Sequence, residues 1–133
     1  MSVFFDTNIL VYAQQNGAKA DKARTLLAAG GILSIQVLNE FAAVARRKLG
    51  KEWDDIEDAI DDVLALVDPP LPLTMVLHAR AREIACDHGF GFYDALILAA
   101  ALEAGCHTLL SEDLQDDRVL GALTIVNPFR AAR

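Results

Sequence analysis

Four acids in this 133-residue chain occupy positions where carboxylates can do chemistry: Asp6, Glu40, Asp94 and Asp113. Asp6 directly follows the apolar run Val3-Phe4-Phe5. Asp113 follows His107–Leu110, within Ser111-Glu112-Asp113. Both runs read as short strands, so both acids fall at strand carboxyl ends, where sites form in open parallel α/β sheets. Glu40 and Asp94 fall on helices expected to enter from those same ends. A cluster of four carboxylates repels itself and raises its own pKa values. A hard divalent cation such as Mg2+ or Mn2+ resolves the conflict, because it takes oxygen ligands from a few carboxylates, water and substrate phosphate.

Each acid alone has a plainer explanation. Asp6-Thr7-Asn8 is good helix-capping chemistry, so Asp6 supports a cap as readily as a site. Glu40 has Gln36, Val37, Ala43 and Val44 as its helical neighbours, none of them basic, yet an exposed Glu needs no partner. Asp94 opens an apolar helix, where the helix dipole favours a carboxylate. That helix is apolar on nearly all sides, which sets its first turn at the edge of the core, where an unpaired charge is costly. In the last loop, Glu112, Asp116 and Asp117 compete with Asp113.

The elements that must position these acids alternate. Strands are expected at Ser2–Phe5, Ile32–Ser34, Leu71–Leu73, His107–Leu110 and Leu123–Val126. Helices are expected at Asn8–Gln15, Lys19–Ala29, Gln36–Leu49, Asp54–Val67, Met75–Asp87 and Ala95–Ala104. Gly30-Gly31 and Asp68-Pro69-Pro70 punctuate them, and Ser34 and Thr74 are expected as caps. Strands separated by helices need crossover connections, hence a parallel sheet covered on both faces. The length suits one domain spanning 1–133.

The motifs resemble those of a known family. Val3-Phe4-Phe5-Asp6-Thr7-Asn8-Ile9-Leu10 is similar to the opening of PIN-domain nucleases. Glu40 in Val37-Leu38-Asn39-Glu40-Phe41, Asp94 in Tyr93-Asp94-Ala95-Leu96-Ile97, and Asp113 in Leu110-Ser111-Glu112-Asp113-Leu114 match the family's later acidic motifs, in order. The ending Leu123-Thr124-Ile125-Val126-Asn127-Pro128-Phe129 is also similar, and the size resembles VapC-type toxins of toxin–antitoxin pairs. The resemblance implies an α/β, three-layer α/β/α sandwich around a central parallel sheet of roughly 4–5 short strands. It implies an endoribonuclease dependent on Mg2+ or Mn2+, with one or two ions held by Asp6 and Asp94 first, then Glu40 and Asp113. Thr7 and Ser111 match supporting hydrogen-bonding positions. A homodimer and a cognate antitoxin that blocks the acidic pocket are implied as well. RNA would then be hydrolysed by water that the metal acidifies. A His-based mechanism is disfavoured, since His78, His88 and His107 form no paired arrangement.

Two other readings stay open. One is a PIN-like module that binds protein without catalysis. The other is a Mg2+-dependent phosphatase, disfavoured because Asp6 is followed by Thr7-Asn8 rather than by a second acid two positions on. The basic cluster Arg46-Arg47-Lys48, with Lys51, either lies beside RNA phosphates or simply favours a helix C-terminus.

The net charge of −7 argues at first against nucleic acid. Six acids lie between Asp54 and Asp62 with no base among them: Asp54, Asp55, Glu57, Asp58, Asp61 and Asp62. They read as a solvated helix face, or as a surface for a basic antitoxin segment. Without them the chain carries 12 bases and 13 acids, and without the four clustered acids as well, 12 and 9. The acidity therefore divides into one helix and one candidate metal pocket. Cys86 and Cys106 are isolated, no basic n-region opens the chain, and no apolar run approaches the ~20 residues of a membrane span. A cytoplasmic protein with no membrane partner is the expectation.

Overall fold

The structure is a computed structural model and describes residues 2–130. Met1 and residues 131–133 lie outside it. The order is β1 (Val3–Phe5), α1 (Thr7–Ala13), α2 (Ala18–Ala28), α3 (Ile35–Arg47), α4 (Trp53–Leu64), α5 (Met75–His88), α6 (Phe92–Glu103), β2 (Thr108–Leu110), β3 (Val119–Leu120) and β4 (Leu123–Val126). The sheet runs β1-β2-β4-β3. β1 pairs with β2 and β2 with β4 in parallel, in the registers Phe5↔Leu110 and Leu110↔Val126.

The α/β class stands, but the sheet is mixed rather than wholly parallel. β3 runs antiparallel to β4, with Leu120 opposite Leu123. The cause is a two-residue turn, Gly121-Ala122, with φ 58° at Gly121. Such a turn joins only antiparallel strands, and glycine supplies its first central residue. The runs Ile32–Ser34 and Leu71–Leu73 are not full strands. They contribute single parallel bridges, Phe4↔Ile32 and Ser34↔Leu71, which extend the pairing beyond β1. Gly31 permits that approach: a Cβ there would lie 2.8 Å from the Val3 carbonyl oxygen and 2.5 Å from the Phe5 ring.

Successive strand residues face opposite sides of a sheet. Phe4 and Phe5 are both buried, as are Leu109 and Leu110, so helices cover both faces. Three helices start on the cap that their sequence offers. Asp6 accepts from the Thr7 amide, Ser34 from Val37 and Thr74 from Leu77. α6 is the central helix, buried without interruption from Ala95 to Ala101. Its alanines allow α5 and α3 to pack closely against it. It begins at Phe92 rather than Ala95, which places Asp94 inside its first turn. Among the described residues no helix is long and apolar enough to cross a membrane.

Candidate active site

β1 and β2 are neighbours, so their carboxyl ends emerge side by side. The amide of Asp6 donates to the Leu110 carbonyl at 3.0 Å, and the amide of Ser111 donates to Val126 at 3.0 Å. The sheet therefore delivers Asp6 and the 111–113 loop to the same place. α3 brings Glu40 and α6 brings Asp94. All four acids line one cleft of about 360 Å³.

Asp6 is buried and held at both oxygens. Oδ1 accepts from the Thr7 amide at 2.7 Å and Oδ2 from Ser111 Oγ at 2.6 Å. Burial pushes its pKa up from 3.8 to about 6, against the pull of those two hydrogen bonds, and the charges of Glu40 and Asp94 push the same way. Glu40 is held in the same manner. Thr7 Oγ1 donates to its Oε1 at 3.0 Å, and Gln36 Nε2 to its Oε2 at 3.0 Å. Thr7 thus links two acids, with its amide on Asp6 and its hydroxyl on Glu40.

Asp94 lies in the first turn of α6, at the edge of the buried run that opens with Ala95, and is exposed to the cleft. Its pKa is still raised, first by partial desolvation and then by the charges of Glu40 and Asp113.

The acidic loop sorts itself by hydrogen bonding. Asp113 lines the cleft. Glu112 turns aside: it accepts from the Tyr12 hydroxyl and pairs with Lys19 at 2.6 Å, and these donors hold its pKa down, Lys19 first. Asp116 accepts from the Asn127 amide at 2.7 Å and pairs with Arg130. Ser111 Oγ organises the loop, accepting from the amides of Asp113 and Leu114 at 3.2 Å each.

The basic cluster is divided. Lys48 lines the cleft. Arg46 faces α4, where it pairs with Glu52 at 3.5 Å and lies 5.6 Å from the Trp53 ring centroid. Arg47 is exposed and is not part of the cleft wall. Among the described residues no histidine lines the cleft either: His78 packs edge-on against Phe92. Sequence reasoning passed over Gln36, Asn8 and Tyr12. Gln36 stands four residues before Glu40, a spacing at which a hydrogen bond on one helix face is expected. Asn8 joins α1 to the loop, donating to Ser111 Oγ at 3.4 Å and accepting from the Glu112 amide at 3.3 Å.

The donor set of the cleft is carboxylate oxygen, which suits hard divalent cations. Each held oxygen of Asp6 and Glu40 keeps a second lone pair for a further ligand. Two of the four acids have raised pKa values, and a cation would reverse that. Among the described residues the acids do not close into a ready group of three metal ligands. The fit therefore rests on donor chemistry and convergence.

An α/β domain with acids gathered at the carboxyl ends of its parallel strands defines the class of protein. Residues 3–119 match the family description PIN domain, and the chain belongs to that family. Among solved structures, it is similar to VapC20 of Mycobacterium tuberculosis, described as a sarcin-ricin loop cleaving toxin. The identity is 22%, covering 84% of this chain and 90% of that one, with a TM-score of 0.70. A toxin–antitoxin complex from Klebsiella pneumoniae is 19% identical, covering 98% and 100%, with a TM-score of 0.73. VapBC2 from Rickettsia felis, bound to a DNA fragment of its promoter, is 18% identical, covering 94% and 97%, with a TM-score of 0.69. No curated protein matches the sequence.

Proposed function

We propose that the chain is a metal-dependent endoribonuclease, acting as the toxin of a VapBC-type toxin–antitoxin pair. The convergence of Asp6, Glu40, Asp94 and Asp113 on one cleft carries this reading. The description of VapC20 as a sarcin-ricin loop cleaving toxin supports it.

Asp6 and Asp94 are the first ligands in this proposal, with Glu40 and Asp113 next, for one or two Mg2+ or Mn2+ ions. When bound, the ions supply acidified water and positive charge for the phosphate oxygens. The chain's own residues do the rest. Ser111 and Thr7 fix Asp6, and Thr7 and Gln36 fix Glu40, so two carboxylates keep one orientation before substrate arrives. Asp94 and Asp113 stand at the solvent side, where phosphate would approach. Cleft carboxylates are also the groups at hand to accept the proton of the attacking water, since no histidine lines the wall among the described residues.

A cognate antitoxin is the proposed protein partner, and a second copy of the chain the proposed oligomer. The six acids of α4 are exposed, which leaves that face open to a basic segment. Mn2+-dependent cleavage of a panel of structured RNAs tests the activity. Cleavage is expected to stop in EDTA and in Asp94→Asn; full activity in EDTA would sink the metal mechanism. Removing the α4 charges is expected to weaken the antitoxin, and unchanged affinity would argue against that surface.

A further inference from the structure

The cleft is longer than its acidic end. Thr7, Val11 and Gln15 follow one another at four-residue spacing along α1 and its C-terminal turn; Glu40, Val44 and Lys48 do the same along α3. Residues four apart share a helix face. The cleft is therefore a groove between two helices, and eight residues of helix make it ~12 Å long. Its character changes along that length. Acids occupy one end, Val11 and Val44 the middle, and Gln15 with the Lys48 ammonium the other end. Tyr12 forms part of the wall. Its ring is fixed from three directions: the hydroxyl donates to Glu112, Phe129 packs edge-on at 5.1 Å, and Lys19 Nζ lies 5.0 Å from the centroid.

We propose that this groove binds the two nucleotides adjoining the scissile phosphate of a single-stranded RNA, with Lys48 on the far phosphate and Tyr12 as a rigid wall for a base. The inference rests on the nuclease reading of the acidic end. A polyanion whose reacting phosphate sits at the acids must lead its next phosphates away from them, and among the described residues the groove offers the Lys48 ammonium at the other end. The valines between suit the apolar surface of a sugar and base. A ring already held in place costs little ordering entropy on binding.

The test is fluorescence anisotropy in Mn2+ with a labelled phosphorothioate single-stranded oligoribonucleotide of about eight nucleotides. Lys48→Ala is expected to weaken binding and to lower the slope of log affinity against log salt by about 0.7, the share of one single-strand phosphate contact. Tyr12→Ala is expected to lose roughly tenfold in affinity, and Tyr12→Phe to keep most of it. Lys22→Ala, on exposed α2, controls for overall charge and should change neither. If Lys48→Ala matches Lys22→Ala, the groove inference is overturned. Should Tyr12→Ala fail to fold, the exposed Lys48 still decides the matter. Cleavage of the ordinary-phosphate oligonucleotide with an unchanged Lys48→Ala slope removes only the groove. If the unaltered chain neither binds nor cleaves RNA, the nuclease reading falls and takes this inference with it.

Discussion

Ser111 Oγ donates to Asp6 Oδ2 at 2.6 Å, across 105 positions of sequence. One hydroxyl thereby ties the loop after β2 to the acid that ends β1, while receiving two amides of its own loop. Ser111→Ala leaves a buried carboxylate oxygen and two amides short of a partner. The expected cost is about 1–3 kcal/mol of folding stability, read by urea denaturation. The same change should raise the Asp6 pKa further, because it removes a bond that favours the charged form. A variant as stable as the parent would show that water replaces the hydroxyl at no cost.

Burial makes Asp6 a source of pH dependence, and its sign is opposite to that of an ordinary paired carboxylate. Its pKa is about 6 in the fold, against 3.8 for the unperturbed group. Between those values the folded chain holds a proton that the unfolded chain has released. Stability therefore falls as pH rises from about 4 to 6, by up to ~3 kcal/mol from this group, and levels off above. Thermal melts without divalent cations should show Tm falling across that window. Asp6→Asn should flatten the fall, and the difference between the two proteins isolates Asp6 from other acids. A parent Tm that climbs more steeply than that of Asp6→Asn over the same window would contradict the assignment.

Metal should act in the opposite sense to the proton. A cation that binds only the folded cleft stabilises it in proportion to the logarithm of its concentration above Kd. Mg2+ or Mn2+ is therefore expected to raise Tm at pH 7.5, and to raise it less at pH 5, where Asp6 is protonated. Asp113→Asn should shrink the effect. Differential scanning fluorimetry reads this without any RNA. A Tm indifferent to both cations at pH 7.5 would remove the metal from the proposal.

Much of this arrangement is legible in the sequence, and the remainder was hidden for physical reasons. Val3-Phe4-Phe5 announces a buried strand, and the cap residues Ser34 and Thr74 announce helix starts, because those signals are local. The β3–β4 hairpin was missed although Leu123–Val126 was expected as a strand: Val119–Leu120 is only two residues long and follows the polar run Gln115–Arg118, so the Gly121 turn had a visible strand on one side only. Choosing among Glu112, Asp113 and Asp116 was beyond the sequence, because the choice depends on distant groups. Tyr12 and Lys19 draw Glu112 aside, and the Asn127 amide and Arg130 take Asp116. The division of Arg46 from Lys48 has the same origin, since Glu52, which precedes α4, and Trp53, its first residue, are partners for Arg46.

Asp94 separates stability from function most clearly. It lies in the first turn of α6, where the helix dipole favours its charge by about 0.3–1 kcal/mol. Its pKa is nevertheless raised, so desolvation and the charges of Glu40 and Asp113 outweigh the dipole. Neutralising it should therefore not weaken the fold. Asp94→Asn is expected to match or exceed the parent Tm without metal. RNA cleavage should drop beyond the roughly 10–100-fold that follows loss of an outer-shell partner of a metal site. The two measurements must be made on the same preparation. Lost cleavage with a Tm several degrees lower would mark Asp94 as a structural residue. Lost cleavage with an undiminished Tm assigns its cost to the fold and its use to the reaction, as expected of a charge kept for catalysis.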